Sequence, residues 1–374
     1  MSVEQKDKPS AFKHSVGPAL LERMGREIEA VHPAFDRRAF EGIAGDLARL
    51  ELKPRIARVR DELARRLPAS YADALAILLA AARRGNLRGF DIWPFTDFVQ
   101  TFGLDDRKRS LDALTVLTRL FTAEFAVRPF LRLHPEETLA HLLRCAASDN
   151  EHDRRWASEG SRPRLPWGER LQQLVADPTP TLPILRALAF DASPYVRKSV
   201  ANHLNDIAKD HPGYVVETLL AWRGEAKTAD EKARLEWITR HALRTLIKAG
   251  HPQALEAIGV DAGAALRVHG IRFEETTYAM GDTLAFAIDL ESLSARGQRI
   301  VLDYAIHYRK ANGTLSPKVF KWKTFELPPG ARMRLEKRHA LREVTTRVHH
   351  PGAHALSIQV NGRTLETLRW TLAS

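Results

Sequence analysis

Cysteine is almost absent from this 374-residue chain, whose one thiol is Cys145. A single cysteine excludes an intrachain disulfide framework and any zinc or iron–sulfur site built from cysteines. Long apolar runs are also missing: the longest, from Ala74 to Ala82, is half of the roughly 18 residues that indicate a membrane-spanning helix. The first fifteen residues are polar and mixed in charge, without the apolar stretch of a secretory signal. We therefore expect a cytoplasmic protein that makes no membrane contact.

Several familiar catalytic motifs are missing as well. The chain contains no Gly-x-x-x-x-Gly-Lys-Ser/Thr loop, no Gly-x-Gly-x-x-Gly after a strand and no Gly-x-Ser-x-Gly elbow. The paired histidines, His134 with His141 and His349 with His350, lack the companions that a metal site needs. These absences disfavour nucleotide hydrolysis, dinucleotide chemistry and serine-hydrolase chemistry.

Charge is where the composition becomes informative. Apolar residues make up 44% and charged residues 28%, which is ordinary for a globular protein and excludes wholesale disorder. The formal net charge is +11 and the isoelectric point is near 9.9. Such a balance favours a polyanionic partner, nucleic acid before a membrane surface. A soluble protein that merely happens to be basic is the alternative, and charge alone does not separate the two.

Helical periodicity dominates the chain up to about residue 265. Leu20, Leu21, Met24 and Ile28 form one apolar stripe, and no strand-like alternation interrupts the region. Three arginines, Arg154, Arg197 and Arg240, are spaced 43 residues apart in similar helical surroundings. That interval lies within the ~40–47 residues of a HEAT-type helical pair. The pattern predicts an α-solenoid over residues 1–265, whose concave face suits an elongated partner.

The period changes to two after residue 265. Ile300, Leu302 and Tyr304 alternate with more polar neighbours, and Asn361-Gly362 separates two further alternating runs, which predicts a hairpin. About seven strands in this length are typical of an immunoglobulin-like β-sandwich. The predicted fold is therefore mainly α, with helical repeats in residues 1–265 and a β-sandwich in residues 266–374.

The predicted sandwich is the more basic part, with a net charge of +7 against +4 for the longer helical part. Lys318, Lys321 and Lys323 fall on one strand. They form either a solvated sheet face or a second clamp on phosphates, and both interpretations stay open.

The segment 154–167 is unusual because it holds four arginines, two tryptophans and one carboxylate. Its pattern predicts a short helix that carries Trp156 and Glu159 on one face, then a Gly/Pro-rich break, then a new helix near Pro166. A helix–helix corner with core tryptophans and solvated arginines would explain any one of these residues. The combination instead favours a site that binds a cation beside a polyanion, such as nucleic acid that carries a positively charged base.

Stepping by the repeat length brings more residues to this place. Adding 43 to Glu124 and to Glu159 reaches Trp167 and Asn202, and Asp206 follows one helical turn later. The repeat thus predicts that these five residues converge on one concave strip. Taken singly, each acid is more often a surface charge.

The motif Trp156-x-x-Glu159-x-x-Arg162-Pro163-x-Leu165-Pro166-Trp167, followed by Val196 to Asp206, resembles the HEAT-like-repeat alkylpurine DNA glycosylases, specifically their AlkC branch. The opening Phe12-Lys13-His14-Ser15 is also similar to that branch. The resemblance covers the helical half, and a sandwich after the helices occurs in one subset of the branch. It implies a monomeric, cofactor-free enzyme that excises cationic methylated bases, chiefly 3-methyladenine, from duplex DNA, probing the lesion without full base flipping.

The resemblance also implies a role for each candidate residue. Glu159, Glu124 and Asp206 would be catalytic, Trp156 and Trp167 would contact the lesion, and no metal would be bound. Nine residues would contact DNA: Arg155, Arg162, Arg164, Arg197, Lys198, Asn202, His203, Lys321 and Lys323. A non-catalytic HEAT-repeat scaffold that binds nucleic acid is the alternative, since helical repeats are most often binding surfaces.

Overall fold

A computed structural model describes residues 12–261, 263–344 and 347–373 of the chain. The chain folds into two compact units, one ending at Asp210 and the other beginning at His211. The change from helix to strand falls at Leu266, so the helices after His211 belong to the same compact unit as the strands. The assignment of separate functions to residues 1–265 and 266–374 stays a prediction.

The first unit is built from helices joined by short loops. They are α1 (Pro18–Val31), α2 (Arg37–Glu41), α3 (Ala44–Leu47), α4 (Leu52–Arg66), α5 (Tyr71–Arg83), α6 (Trp93–Phe102), α7 (Arg107–Leu117), α8 (Arg128–Leu133), α9 (Pro135–Ala146), α10 (Glu151–Gly160), α11 (Gln172–Ala176), α12 (Leu182–Ala187) and α13 (Pro194–Ile207), with 3₁₀ turns at Phe12–Ser15, Gly89–Asp91 and Thr179–Thr181.

Local sequence explains where several of these helices begin. Asp36 caps α2 by accepting a hydrogen bond from the amide of Ala39 at 3.0 Å, as its position in the sequence indicates. Asn150 caps α10 in the same way through the amide of His152 at 2.9 Å. The apolar stripe Leu20, Leu21, Met24 and Ile28 of α1 is fully buried, which is what its helical spacing predicts.

Two of the three repeated arginines hold equivalent positions. Nη1 of Arg154 donates to the carbonyls six and five residues earlier, at 3.0 and 2.9 Å. Nη1 of Arg197 does the same, at 2.9 and 2.7 Å. Arg240 instead bonds to Glu236 on its own helix. The first pair thus shares a structural role, tying a helix to the loop that precedes it, and Arg240 does not.

The second unit begins with helices and continues as two sheets. The helices are α14 (Pro212–Glu225), α15 (Ala229–Ala242), α16 (Arg244–Lys248) and α17 (Pro252–Ala257). The strands are β1 (Leu266–Phe273), β2 (Thr277–Tyr278), β3 (Thr283–Ser292), β4 (Gln298–Arg309), β5 (Leu315–Leu327), β6 (Arg332–Ala340), β7 (Gly352–Val360) and β8 (Arg363–Leu372). One sheet has the order β1-β3-β6 and the other β2-β8-β7-β4-β5. Their inner faces enclose an apolar core that includes Phe286, Ile300 and Trp370.

The turn between β7 and β8 is the hairpin that the sequence predicts. Asn361 and Gly362 both have positive φ, 47° and 75°, which the Asn-Gly pair tolerates. The Asn361 side chain accepts a hydrogen bond from the amide of Val301 at 2.8 Å and donates one to the carbonyl of Asp261 at 2.6 Å. The turn is therefore tied to β4 as well as to its own strands.

The described architecture confirms the predicted fold class, helical repeats followed by a β-sandwich. In the ranges that the structure describes, no helix combines the length and the apolar character needed to cross a membrane.

Candidate functional site

Three buried carboxylates meet in the first unit, although they are far apart in sequence. Glu124 lies in the loop between α7 and α8, Glu159 in the last turn of α10, and Asp206 in the last turn of α13. Their exposed fractions are 9%, 6% and 3%. Buried carboxylates require paired charges or hydrogen bonds, so the groups around them define the site.

Two arginines link these carboxylates in a chain. Arg155 Nη1 lies 2.5 Å from Glu124 Oε2, and Arg155 Nη2 lies 3.6 Å from Glu159 Oε1. Arg162 Nη1 donates to Glu159 Oε1 at 2.6 Å, and its Nε donates to Asp206 Oδ2 at 2.8 Å. Burial alone would lower the pKa of Arg162, but the charges of Glu159 and Asp206 more than offset it, so that pKa is raised. Arg162 stays charged between its two partners.

A polar layer from α13 supports Glu159 from the other side. The Ser199 hydroxyl donates to Glu159 Oε2 at 2.6 Å and lies 3.1 Å from the Ser158 hydroxyl. His203, fully buried, donates from Nδ1 to the Ser158 carbonyl at 2.9 Å. Burial lowers the pKa of His203 to about 3, so its ring is neutral at physiological pH. Both oxygens of Glu159 are thus held by donors.

An aromatic cleft of about 300 Å³ opens beside Glu124 and Glu159. Its aromatic lining comes from separate segments and consists of Phe90, Trp93, Phe121, Phe125 and Trp167. The rings contact one another: the Trp93 centroid lies 5.3 Å from that of Phe125 and 5.7 Å from that of Phe121. Carboxylates beside ring faces form an environment suited to a flat cationic group.

Trp167 is the exposed member of this cleft. Its side chain is 60% exposed, and its φ of 65° is rare for a residue with a large side chain. The predicted helix start near Pro166 is wrong, because the segment after α10 continues in turns until α11 begins at Gln172. Phe12 of the first 3₁₀ turn is 64% exposed and lies 6.3 Å from Trp167, ring centroid to ring centroid. The motif at the start of the chain therefore reaches the candidate site.

Trp156 has a different environment. It is fully buried, and its ring packs edge-on against His141 with centroids 6.0 Å apart. It occupies the core beneath α10, not the surface of the cleft. Trp156 therefore has no exposed ring face with which to make the predicted contact with the lesion.

The predicted DNA-contacting residues divide by burial. Arg162 and His203 are buried, Arg155 is bonded to Thr122 and Glu124, and Arg164 forms a bidentate pair with Asp210. The other five occupy these positions, and their role stays a prediction: Arg197 and Asn202 are half-buried on α13, Lys198 is exposed on α13, and Lys321 and Lys323 are exposed on β5.

The convergence that the repeat predicts holds for four of its five members. Glu124, Glu159 and Trp167 border the cleft, and Asp206 joins them through Arg162, whereas Asn202 is not among the residues that line the cleft. Of the aromatic lining, only Trp167 was predicted from the sequence. The spacing of Phe121 and Phe125, one helical turn apart before the motif, was the signal that could have pointed to it. Among the described residues, no cluster of three or more His, Cys, Asp or Glu side chains could hold a metal ion.

Known proteins are similar to this chain over its C-terminal part and over nearly its whole length. Residues 267–374 match the family model described as the C-terminal Ig-like domain of the uncharacterised protein YhaZ. YhaZ of Bacillus subtilis (strain 168) is 37% identical over 359 residues, which cover 96% of this chain and 98% of that protein. The solved structure of the Pseudomonas fluorescens alkylpurine DNA glycosylase AlkC, bound to DNA with an abasic-site analogue, has a TM-score of 0.90. It is 41% identical and covers 98% of this chain and 100% of its own.

Proposed function

We propose that this chain, which belongs to the AlkC family of alkylpurine DNA glycosylases, is itself a DNA glycosylase. It hydrolyses the N-glycosidic bond of cationic methylated bases, chiefly 3-methyladenine, in duplex DNA, as a step of base excision repair. The observation that carries the proposal is that Glu124 and Glu159, from separate segments, border an aromatic cleft, and that Arg162 links Glu159 to Asp206 of a third segment.

The reaction needs negative charge near the sugar and a water molecule positioned for attack. A base methylated at N3 carries a positive charge and leaves as a neutral molecule, so it needs no general acid. The sugar becomes an oxocarbenium ion as the bond breaks, and a fixed carboxylate stabilises that charge. Glu159 serves this role, with both its oxygens held by Arg162 and Ser199. A neighbouring carboxylate, Glu124 or Asp206, positions the attacking water.

Selectivity follows from the same arrangement. The exposed ring of Trp167 contributes a cation–π contact with the charged nucleotide, worth ~0.5–2 kcal/mol. The base stays largely stacked, so charge and bond lability select the lesion rather than base shape, and neutral lesions such as hypoxanthine are poor substrates. Efficient excision of hypoxanthine would contradict this part of the proposal.

DNA is the proposed partner, held by the basic surface of the chain. Exposed Lys198, Lys321 and Lys323 contact backbone phosphates, each adding roughly one unit to the salt dependence of binding. The monomeric state and the cytoplasmic location remain predictions from the sequence.

The test is release of methylated bases from alkylated duplex DNA in EDTA, with wild type and Glu159→Gln compared. The variant should lose release and keep DNA binding, because the amide is isosteric but carries no charge. Glu137→Gln is the matched control: Glu137 is half-exposed on α9, pairs with Arg107 at 2.6 Å and should keep full activity. If wild type binds DNA tightly and releases no base, the scaffold alternative replaces the proposal.

A further inference from the structure

Arg128, the first residue of α8, is a buried cation whose hydrogen bonds to the described residues all go to backbone carbonyls. It is 1% exposed. Its Nε donates to the carbonyl of Glu169 at 2.6 Å, and its Nη1 donates to the carbonyls of Gly160 and Arg162 at 3.1 and 2.9 Å. One guanidinium therefore holds both ends of the segment 160–169.

Burying this guanidinium is costly. Burial lowers the pKa of Arg128 to about 10, and its Nη2 has no hydrogen-bond partner among the described residues. A well-packed apolar side chain at such a position is often as stabilising as a buried charge. An arginine at this position is therefore better explained by its hydrogen bonds to the segment 160–169 than by a contribution to the stability of the fold.

The segment that Arg128 holds carries the exposed part of the site. Glu159 immediately precedes it, Arg162 lies within it, and Trp167 sits near its end with φ at 65°. Lys53 donates to the Trp167 carbonyl. Gly168 packs directly on Arg128, since a Cβ built there would lie 3.2 Å from Arg128 Cδ. A segment without regular helix keeps this geometry only if such contacts impose it.

We propose that Arg128 is a positioning residue, which sets the place of Glu159, Arg162 and Trp167 by binding both ends of the segment 160–169 from beneath. This inference rests on the proposed glycosylase function for its kinetic consequence. The structural consequence, that Arg128 holds Trp167 in place, is independent of the glycosylase function.

The experiment compares Arg128→Met and Arg128→Lys with wild type in single-turnover base release and in DNA binding. A displacement of about 1 Å at a reacting centre costs roughly 10²-fold in rate, so Arg128→Met should slow release by about 10- to 100-fold. The dissociation constant for DNA should change less than about threefold, because no contact with DNA is removed. Arg128→Lys keeps the charge but not the fork of donors, and should recover part of the rate.

Arg154→Met is the matched control. Arg154 also ties a helix to loop carbonyls, those of Ser148 and Asp149, and pairs with the buried carboxylate of Asp191, but its hydrogen bonds do not reach the segment 160–169. It should keep the wild-type rate. Equal slowing in Arg128→Met and Arg154→Met would overturn the proposal, since both would then act through general stability. If Arg128→Met does not fold, the same comparison with Arg128→Lys decides.

A fluorescence measurement separates this inference from the proposed function. The tryptophan fluorescence of each protein is measured over a range of acrylamide concentrations, and the fluorescence of the same protein carrying Trp167→Phe is subtracted. The difference gives the quenching of Trp167. A changed quenching constant in Arg128→Lys supports the positioning role even if wild type releases no base, a result that would refute only the glycosylase assignment. An unchanged constant overturns the positioning role, whatever the activity.

Discussion

Replacing Arg162 by methionine should destabilise the first unit strongly. Arg162 bridges Glu159 and Asp206, and the side chains of all three are 8% exposed or less. Methionine fills similar space and removes the cation, so two buried carboxylates lose their shared partner. Breaking a buried ion pair in this way costs about 3–5 kcal/mol.

Cys145 offers an assay that reports on the first unit alone. It is the one cysteine of the chain, and it is buried in α9, so a thiol reagent reaches it only when this unit opens. Burial raises the pKa of Cys145 to about 11, which slows reaction in the folded state further. A loss of about 3–5 kcal/mol corresponds to labelling that is faster by roughly 10²- to 10⁴-fold where opening is at equilibrium.

Arg164→Met is the control, because Arg164 makes the corresponding bidentate pair with Asp210 at the surface. The side chains of that pair are 23% and 33% exposed, and such pairs contribute about 0–1 kcal/mol. Labelling of Arg164→Met should therefore stay within roughly tenfold of wild type. If Arg162→Met labels no faster than Arg164→Met, the reasoning about buried charge in this site is refuted.

Three further outcomes are expected. Burial lowers the pKa of His203 from 6.5 to about 3, so between these pH values the unfolded chain binds a proton there that the folded chain does not. The free energy of unfolding should therefore fall by roughly 1.4 kcal/mol for each pH unit as the pH drops from 6.5 towards 3. His203→Asn should flatten this dependence of stability on pH, measured by urea melts followed by circular dichroism. Ser199→Ala removes the hydroxyl that donates to Glu159, so it should lower the free energy of unfolding by about 1.5–3 kcal/mol in the same melts. A loss well below this range would mean that water replaces the donor. Gly362→Ala should lower the thermal midpoint, because its φ is 75° and a Cβ would lie 1.9 Å from Gly250 Cα; an unchanged midpoint would contradict that close approach.

Local patterns were sufficient to predict the change from helices to strands and several individual elements. A helix start or a tight turn depends mostly on residues within one or two turns, so the cap at Asp36 and the turn at Asn361-Gly362 act where they stand in the chain. Local patterns failed near Pro166, where the bonds from Arg128 and Lys53 hold the chain in turns. These donors lie 41 and 114 positions from the carbonyls that they bind, so their contribution is not local in sequence.

The sequence by itself determined the helical and strand halves, the positive charge and which acids are candidates for the site. Only the tertiary structure decided what each candidate touches. Trp156 and Trp167 lie in one segment of the sequence, yet one is fully buried and the other is 60% exposed. Arg162 and Arg164 are two residues apart, yet one is enclosed between carboxylates and the other lies near the surface. The physical reason is that burial and ion pairing depend on partners more than 40 residues away, which meet only when the helices pack.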